Sequence, residues 1–262
     1  MVWYENVDIC DAIAVENIIE KHRPTSIINT AAMANVDECE TNKEACWEVN
    51  VNAVKKLITL CKKYDCHLVH LSTDFVFDGL KNTPYKTDDP TNPVSCYGKS
   101  KEQAEKLLQA SGLKNWNVVR TIVVYGFLPH MSRSNLVLWV KRNLEKGKKI
   151  NVVSDQYRMP TYAGDLAKGL LEMTFKKTNG IFHLSGREGF SILEAAKKIA
   201  NYFGLNENLI NPVSSATLKQ TAQRPPKTFF CLEKSKEILE YKPLTFLEGL
   251  SKIKQIYPIE NE

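Results

Sequence analysis

The chain has 262 residues, 43% hydrophobic and 25% charged, the composition of an ordinary globular protein long enough for one large domain or one and a half. Its net charge of +5 is spread over lysine pairs such as Lys55-Lys56, Lys148-Lys149 and Lys176-Lys177, with no basic tract interleaved with aromatics, so nothing supports nucleic-acid binding. No run approaches the roughly 18 to 20 apolar residues of a membrane span, and no signal-peptide pattern opens the chain. Seven cysteines in irregular spacing, with no CxxC, point to reduced thiols and a cytoplasmic protein.

In chain order, Val7-Asp8-Ile9 is expected to end a short strand, and Asp11 to cap a helix running to about His22. Its apolar positions Ile13, Val15, Ile18 and Ile19 suit a helix packed on a sheet. Ser26 to Asn29 begins a buried strand that delivers Thr30-Ala31-Ala32, small residues where a backbone approaches a ligand closely. A helix follows Val36 to Glu40 and passes through Trp47, Val49 and Asn50. Another covers Ala53 to Lys63, ahead of a strand from His67. On that strand His67 and His70 are three apart and face opposite sides, so they cannot share a metal, and no metal is expected. Strand and helix in alternation are the signature of a parallel sheet.

The strand ends in Ser72-Thr73-Asp74, and a polar loop leads to a helix entered at Tyr97-Gly98-Lys99-Ser100-Lys101. Tyr97 and Lys101 are four apart and share one helix face. Thr73 leaves the strand end, where open α/β sheets hold their ligands. A hydroxyl, a phenol and an ammonium converging there make a proton-handling device. The phenol, with a reference pKa of about 10, is the acid. A nearby ammonium is expected to lower that value toward the working pH. Beyond it come a strand over Trp116 to Thr121, an amphipathic helix over 132–145 and a helix at Asp165-Leu166-Ala167. A strand from Gly180 returns to the sheet, Ser191 caps a helix to Phe203, and Arg224-Pro225-Pro226-Lys227 opens a C-terminal helical region.

The segment STDFVFDG (72–79), with PY, DDPTNP and YGKSK following in order, resembles the extended short-chain dehydrogenase/reductases, and within them the dTDP-4-dehydrorhamnose reductase branch. The resemblance implies a Rossmann-type doubly wound α/β fold. Residues 1–127 would form an incomplete NAD(P)-binding domain, and 128–262 a smaller substrate-binding region of which 148–185 returns to the sheet. It also implies hydride transfer from NADPH or NADH to the C4 ketone of a nucleotide-linked deoxysugar. Thr73, Tyr97 and Lys101 would be catalytic. Asp8 and Ile9 would lie by the adenine, Ala31 and Ala32 would line the cofactor, and Tyr97 and Lys101 would hold its nicotinamide side. Asp74, Phe75, Val123, Arg158 and Arg224 would face the substrate, with Arg158 suited to a diphosphate. Val123 and Phe75 stand where the family places Trp and Tyr, which implies that other groups hold the sugar. A homodimer is a further expectation.

The resemblance begins late. None of the 12 glycines precedes Gly79, so these residues contain no Gly-rich turn to cradle a pyrophosphate. The expectation is a sheet lacking its first strands and weak or absent NAD(P)H binding. A second family also fits: Phe182 to Leu205, FHLSGREGFSILEAAKKIANYFGL, is similar to the regulatory β subunit of methionine adenosyltransferase, a non-catalytic protein.

Overall fold

In the computed structural model, which describes residues 2–256 apart from 130, 132, 133 and 219, the central element is a four-stranded sheet. Its strands are β1 (Ser26–Asn29), β2 (His67–Thr73), β3 (Trp116–Thr121) and β8 (Gly180–His183), hydrogen-bonded in that order and all parallel. The two inner strands are almost entirely buried, as β-branched and aliphatic runs covered on both faces must be.

Alternation along β2 and β3 assigns the two faces. Leu68 and Val118 pack with helices α1 (Ala12–His22), α4 (Ala53–Lys63) and α5 (Cys96–Gln109). Val69, Val119 and Phe182 pack with α7 (Ala163–Lys176) and with Leu239 at the end of α9 (Glu233–Leu239). Helices thus cover both faces, the doubly wound arrangement. A second core joins α6 (Leu136–Glu145), α8 (Ile192–Phe203) and α10 (Phe246–Ile256) to the parallel pair β5 (Ile150–Val153) and β10 (Ile210–Val213). Of segment 148–185, β8 enters the main sheet while β5 pairs with β10.

Local signals account for most boundaries. Asp11 caps α1 by accepting from the amides of Ile13 and Ala14, both at 3.0 Å. Ser191 and Glu194 close a reciprocal capping box on α8, and Gly204 ends that helix in the left-handed region at φ 67°.

Four expectations are corrected. Val7 to Ile9 forms no strand; the Asp8 carboxylate instead accepts from the Cys10 amide at 2.9 Å and turns the chain into α1. The helix expected to follow Val36–Glu40 runs as α3 (Lys43–Trp47) into a π-helical turn (Glu48–Asn52), but Val36–Thr41 is itself a helix, α2, which Asn42 ends while capping α3. Residues from Arg224 are extended, bridging Tyr157 through Lys227 and Tyr85 through Phe230, since consecutive prolines disfavour a helix. The helix expected over 132–145 is capped by Asn135 and begins at Leu136; Ser132 lies outside the described residues.

Ser191→Ala removes the acceptor for the Glu194 amide, a 3.0 Å bond. It should lower unfolding free energy by about 1 kcal/mol in urea denaturation with an unchanged slope.

Candidate active site

Two adjoining segments build the site: the C-terminal end of β2 and the first two turns of α5. The Ser95 hydroxyl caps α5 by accepting from the Gly98 amide at 3.2 Å. A side chain at Gly98 would place its Cβ 2.3 Å from the Phe75 carbonyl oxygen, so only glycine lets the helix start this close to the strand end. Tyr97 is partly buried and meets Phe75 edge-on, ring centroids 5.7 Å apart.

Thr73 has its proton engaged. Its hydroxyl donates to Asp74 Oδ1 at 3.2 Å and accepts from the Phe75 amide at 3.2 Å. A hydroxyl has one proton, here given to Asp74, so a carbonyl oxygen arriving as an acceptor must take the place of that carboxylate. Lys101, buried one turn beyond Tyr97, meets His70 Nε2 at 3.1 Å, and the other ring nitrogen of His70 lies 3.1 Å from the Asn29 amide.

The electrostatics differ from the sequence expectation. Burial pushes the Tyr97 phenol well above its ordinary value; the nearby Thr73 hydroxyl opposes this and the Asp74 carboxylate adds to it. The ammonium was expected to dominate and lower the phenol. Instead Lys101 is itself brought down to about 8 by burial, against the opposing pull of Glu105 and Cys46. Low dielectric outweighs the helix-face pairing for both groups.

Asp74 and Arg158 face inward. Asp74 is 2% exposed; its Oδ2 accepts from the Thr228 hydroxyl at 2.5 Å and lies 3.3 Å from Arg158 Nε. Arg158, equally buried, donates from its two terminal nitrogens to the carbonyls of Tyr157, Pro225 and Pro226. The side chain read as a diphosphate partner is therefore a clamp holding residues 225–228 to the strand end. Arg224 grips both oxygens of Asp37 at 3.1 and 2.7 Å, which joins the same segment to α2. Val123 stands at φ 37°, a strained position for a β-branched residue, with its side chain against the sheet core. Asp8 is exposed, while Ile9, Ala31 and Ala32 are partly buried.

Sequence reasoning missed His70 and Thr228 as site groups, and gave Asn29 no role. A histidine in the middle of a buried strand was the available signal. Asn50 clasps Met33, accepting from its amide at 2.9 Å and donating to its carbonyl at 3.1 Å. Its place in a π-helical turn turns the amide inward, where it also donates to Ser100 Oγ at 3.0 Å.

A parallel sheet wound on both faces, with Thr, Tyr and Lys gathered at a strand end, defines a Rossmann-type protein of the short-chain reductase build. Residues 2–258 match the family described as RmlD substrate binding domain, and the chain belongs to that family. A dTDP-4-dehydrorhamnose reductase from Aggregatibacter actinomycetemcomitans is 30% identical over 262 residues, spanning 96% of this chain and 87% of that one. A solved dTDP-4-dehydrorhamnose reductase from Bacillus anthracis, in complex with NADP, superposes with a TM-score of 0.87 at 27% identity, over 95% of this chain and 86% of that one. Methionine adenosyltransferase 2 subunit beta of Bos taurus is 31% identical over 227 residues, spanning 85% of this chain and 67% of that one.

The two arginines should separate on mutation. Arg158→Met leaves the Asp74 carboxylate buried and uncompensated and should cost about 3 kcal/mol of stability in urea denaturation. Arg224→Ala breaks a pair whose Asp37 side chain is 40% exposed and should cost less than about 1 kcal/mol. Equal losses would contradict the clamp.

Proposed function

We propose that the chain is a reductase of a nucleotide-linked 4-keto-deoxysugar, using NADPH or NADH. The observation that carries this is the close meeting of the β2 end with the start of α5, where the Tyr97 ring stands edge-on to Phe75, two residues beyond Thr73, with Lys101 one helical turn further on. Family membership and the named reductases among its relatives support it. Seven free thiols favour the cytoplasm as its compartment.

The residues present fit the nicotinamide end of the cofactor. Asn29 lies opposite His70 in a parallel register, so the small Ala31-Ala32 turn leaves β1 at the same end of the sheet as Thr73 leaves β2. Ala31, Ala32, Tyr97 and Lys101 would hold the nicotinamide and its ribose, and Asp8-Ile9 the adenine side. When bound, the dinucleotide supplies the hydride. The protein's own part is acid–base and positional. Thr73 turns its proton from Asp74 to the ketone oxygen and fixes it. Tyr97 donates the proton to that oxygen. The Lys101 ammonium stabilises the phenolate left behind. Phe75 and Val123 shape the sugar side with apolar surface, so the sugar hydroxyls take their partners elsewhere.

At millimolar NADPH, where even weak binding loads the site, Tyr97→Phe should lower kcat at least about a hundredfold with KM little changed. Near-normal turnover by the variant would refute the acid assignment. A second reading, a regulatory subunit, is favoured by the methionine adenosyltransferase relative. Capture of a synthetase partner, together with no reductase activity in the parent chain, would select it.

No Gly-rich turn precedes β1 in these 262 residues. Two charge-assisted hydrogen bonds to a pyrophosphate, each worth about 1.5 to 3 kcal/mol, account for a hundredfold or more in affinity. Titration followed by nicotinamide fluorescence should therefore show NADPH binding weaker than micromolar. Micromolar binding would mean that other groups hold the diphosphate.

A further inference from the structure

His70 has no part in the proposed reaction, yet it is completely enclosed and is the hydrogen-bonding partner of the Lys101 amine. Which of its ring nitrogens carries the proton follows from the groups behind it. The Ala31 amide donates to Asn29 Oδ1 at 3.1 Å, which fixes the orientation of the Asn29 side-chain amide. Its NH2 group then faces His70 Nδ1 at 3.1 Å, so Nδ1 must accept. The ring is neutral, because burial, with the neighbouring Lys101 charge, holds it well below the ordinary histidine range. A neutral ring that accepts at Nδ1 carries its proton on Nε2, and Nε2 is the atom 3.1 Å from Lys101 Nζ.

We propose that His70, held in this tautomer by Asn29, is a positioning residue that offers Lys101 a donor instead of an acceptor and so keeps the lysine close to losing its own proton. An ammonium at Nζ would set its hydrogens against the Nε2 hydrogen. Relief by the other tautomer would set Nδ1–H against the Asn29 NH2 group. The amine form meets neither conflict.

The surroundings of Lys101 do not cancel this. Glu105, one turn further along α5, and Cys46 of α3 both favour the ammonium. The Glu105 carboxylate, however, is already taken by Arg120 of β3, at 2.7 to 3.3 Å, and by the Ser72 hydroxyl of β2. The Cys46 thiol donates to Ser100 Oγ at 3.4 Å. Tyr97, on the lysine's own helix, is kept in its neutral phenol form by burial. The lysine stays at about 8 in spite of them.

The consequence for turnover rests on the reductase reading. The lysine must be an ammonium to stabilise the Tyr97 phenolate, so activity is lost as pH rises through its titration. His70 and Asn29 would then set the alkaline limit of the enzyme.

The test needs neither cofactor nor substrate, so it can fail or succeed independently of the reductase reading. Long-range 15N–1H spectra of the intact chain report the tautomer of His70, assigned with His70→Gln. The 13Cε shift of labelled lysine, assigned with Lys101→Arg, follows the titration of Lys101. The wild type should show His70 protonated at Nε2 and Lys101 titrating near pH 8. Asn29→Asp presents an oxygen to Nδ1, should switch His70 to the Nδ1–H tautomer, and should raise the Lys101 midpoint by about one pH unit or more. An Nδ1–H tautomer in the wild type overturns the proposal without any variant. So does a switched tautomer that leaves the lysine midpoint in place.

Discussion

The grip of Glu105 on its neighbours is the interaction on which the site depends. Glu105 projects from α5 into the sheet, where Arg120 of β3 pairs with it at 2.7 Å and Ser72 of β2 donates to it, all three nearly inaccessible. Arg120 also reaches the Thr87 carbonyl at 3.2 Å and lies over the Phe77 ring, 4.9 Å from its centroid. Charges removed from water are tolerated only with such saturation, and loss of one partner typically costs about 3 to 5 kcal/mol. The pairing therefore fixes the depth and rotation of α5 against β2. Lys101 and Tyr97, one and two turns earlier on that helix, inherit their positions from it.

A second buried pair works at the other side of the strand end. Asp74 and Arg158 tie β2 to the extended 225–228 segment, and Thr228 completes the carboxylate's shell. Asp74 is also the acceptor for Thr73, so the ion pair that anchors the C-terminal region orients the hydroxyl facing the proposed substrate. Stability and site geometry share the same atoms here. A charge change at Asp74 or Arg158 acts on both at once.

How much of this was legible in the sequence depended on the range of the signal. Strands Ser26–Asn29 and Trp116–Thr121 and helices Ala53–Lys63 and Ile192–Phe203 follow from periodicity and capping within a few residues of themselves. Thr73, Tyr97 and Lys101 were legible because helix spacing and a strand end suffice to bring them together. Arg158 was misplaced because its partners Pro225, Pro226 and Asp74 are distant in sequence, and an isolated arginine looks like a surface group. Helix α2 was not read because six residues are too few to display a helical period. The buried strand marked His70, but not what it does there, because its partner Asn29 lies 41 residues away.

Lys101 bears on the choice between enzyme and regulatory subunit. Asp74, Arg158, Thr228 and Glu105 all have packing work that a non-catalytic protein would equally need. Lys101 does not: its side-chain hydrogen-bond partner among the described residues is a neutral imidazole, and burial brings the amine from 10.5 to about 8. At about 1.4 kcal/mol per pKa unit, keeping the ammonium there costs about 3 kcal/mol relative to water. A methionine or leucine would fill the same space between β2 and α5 without that penalty. A fold that needed only packing at this point would gain from losing the amine. The lysine is explained by chemistry performed on the phenol beside it, which favours the reductase reading over a purely structural one.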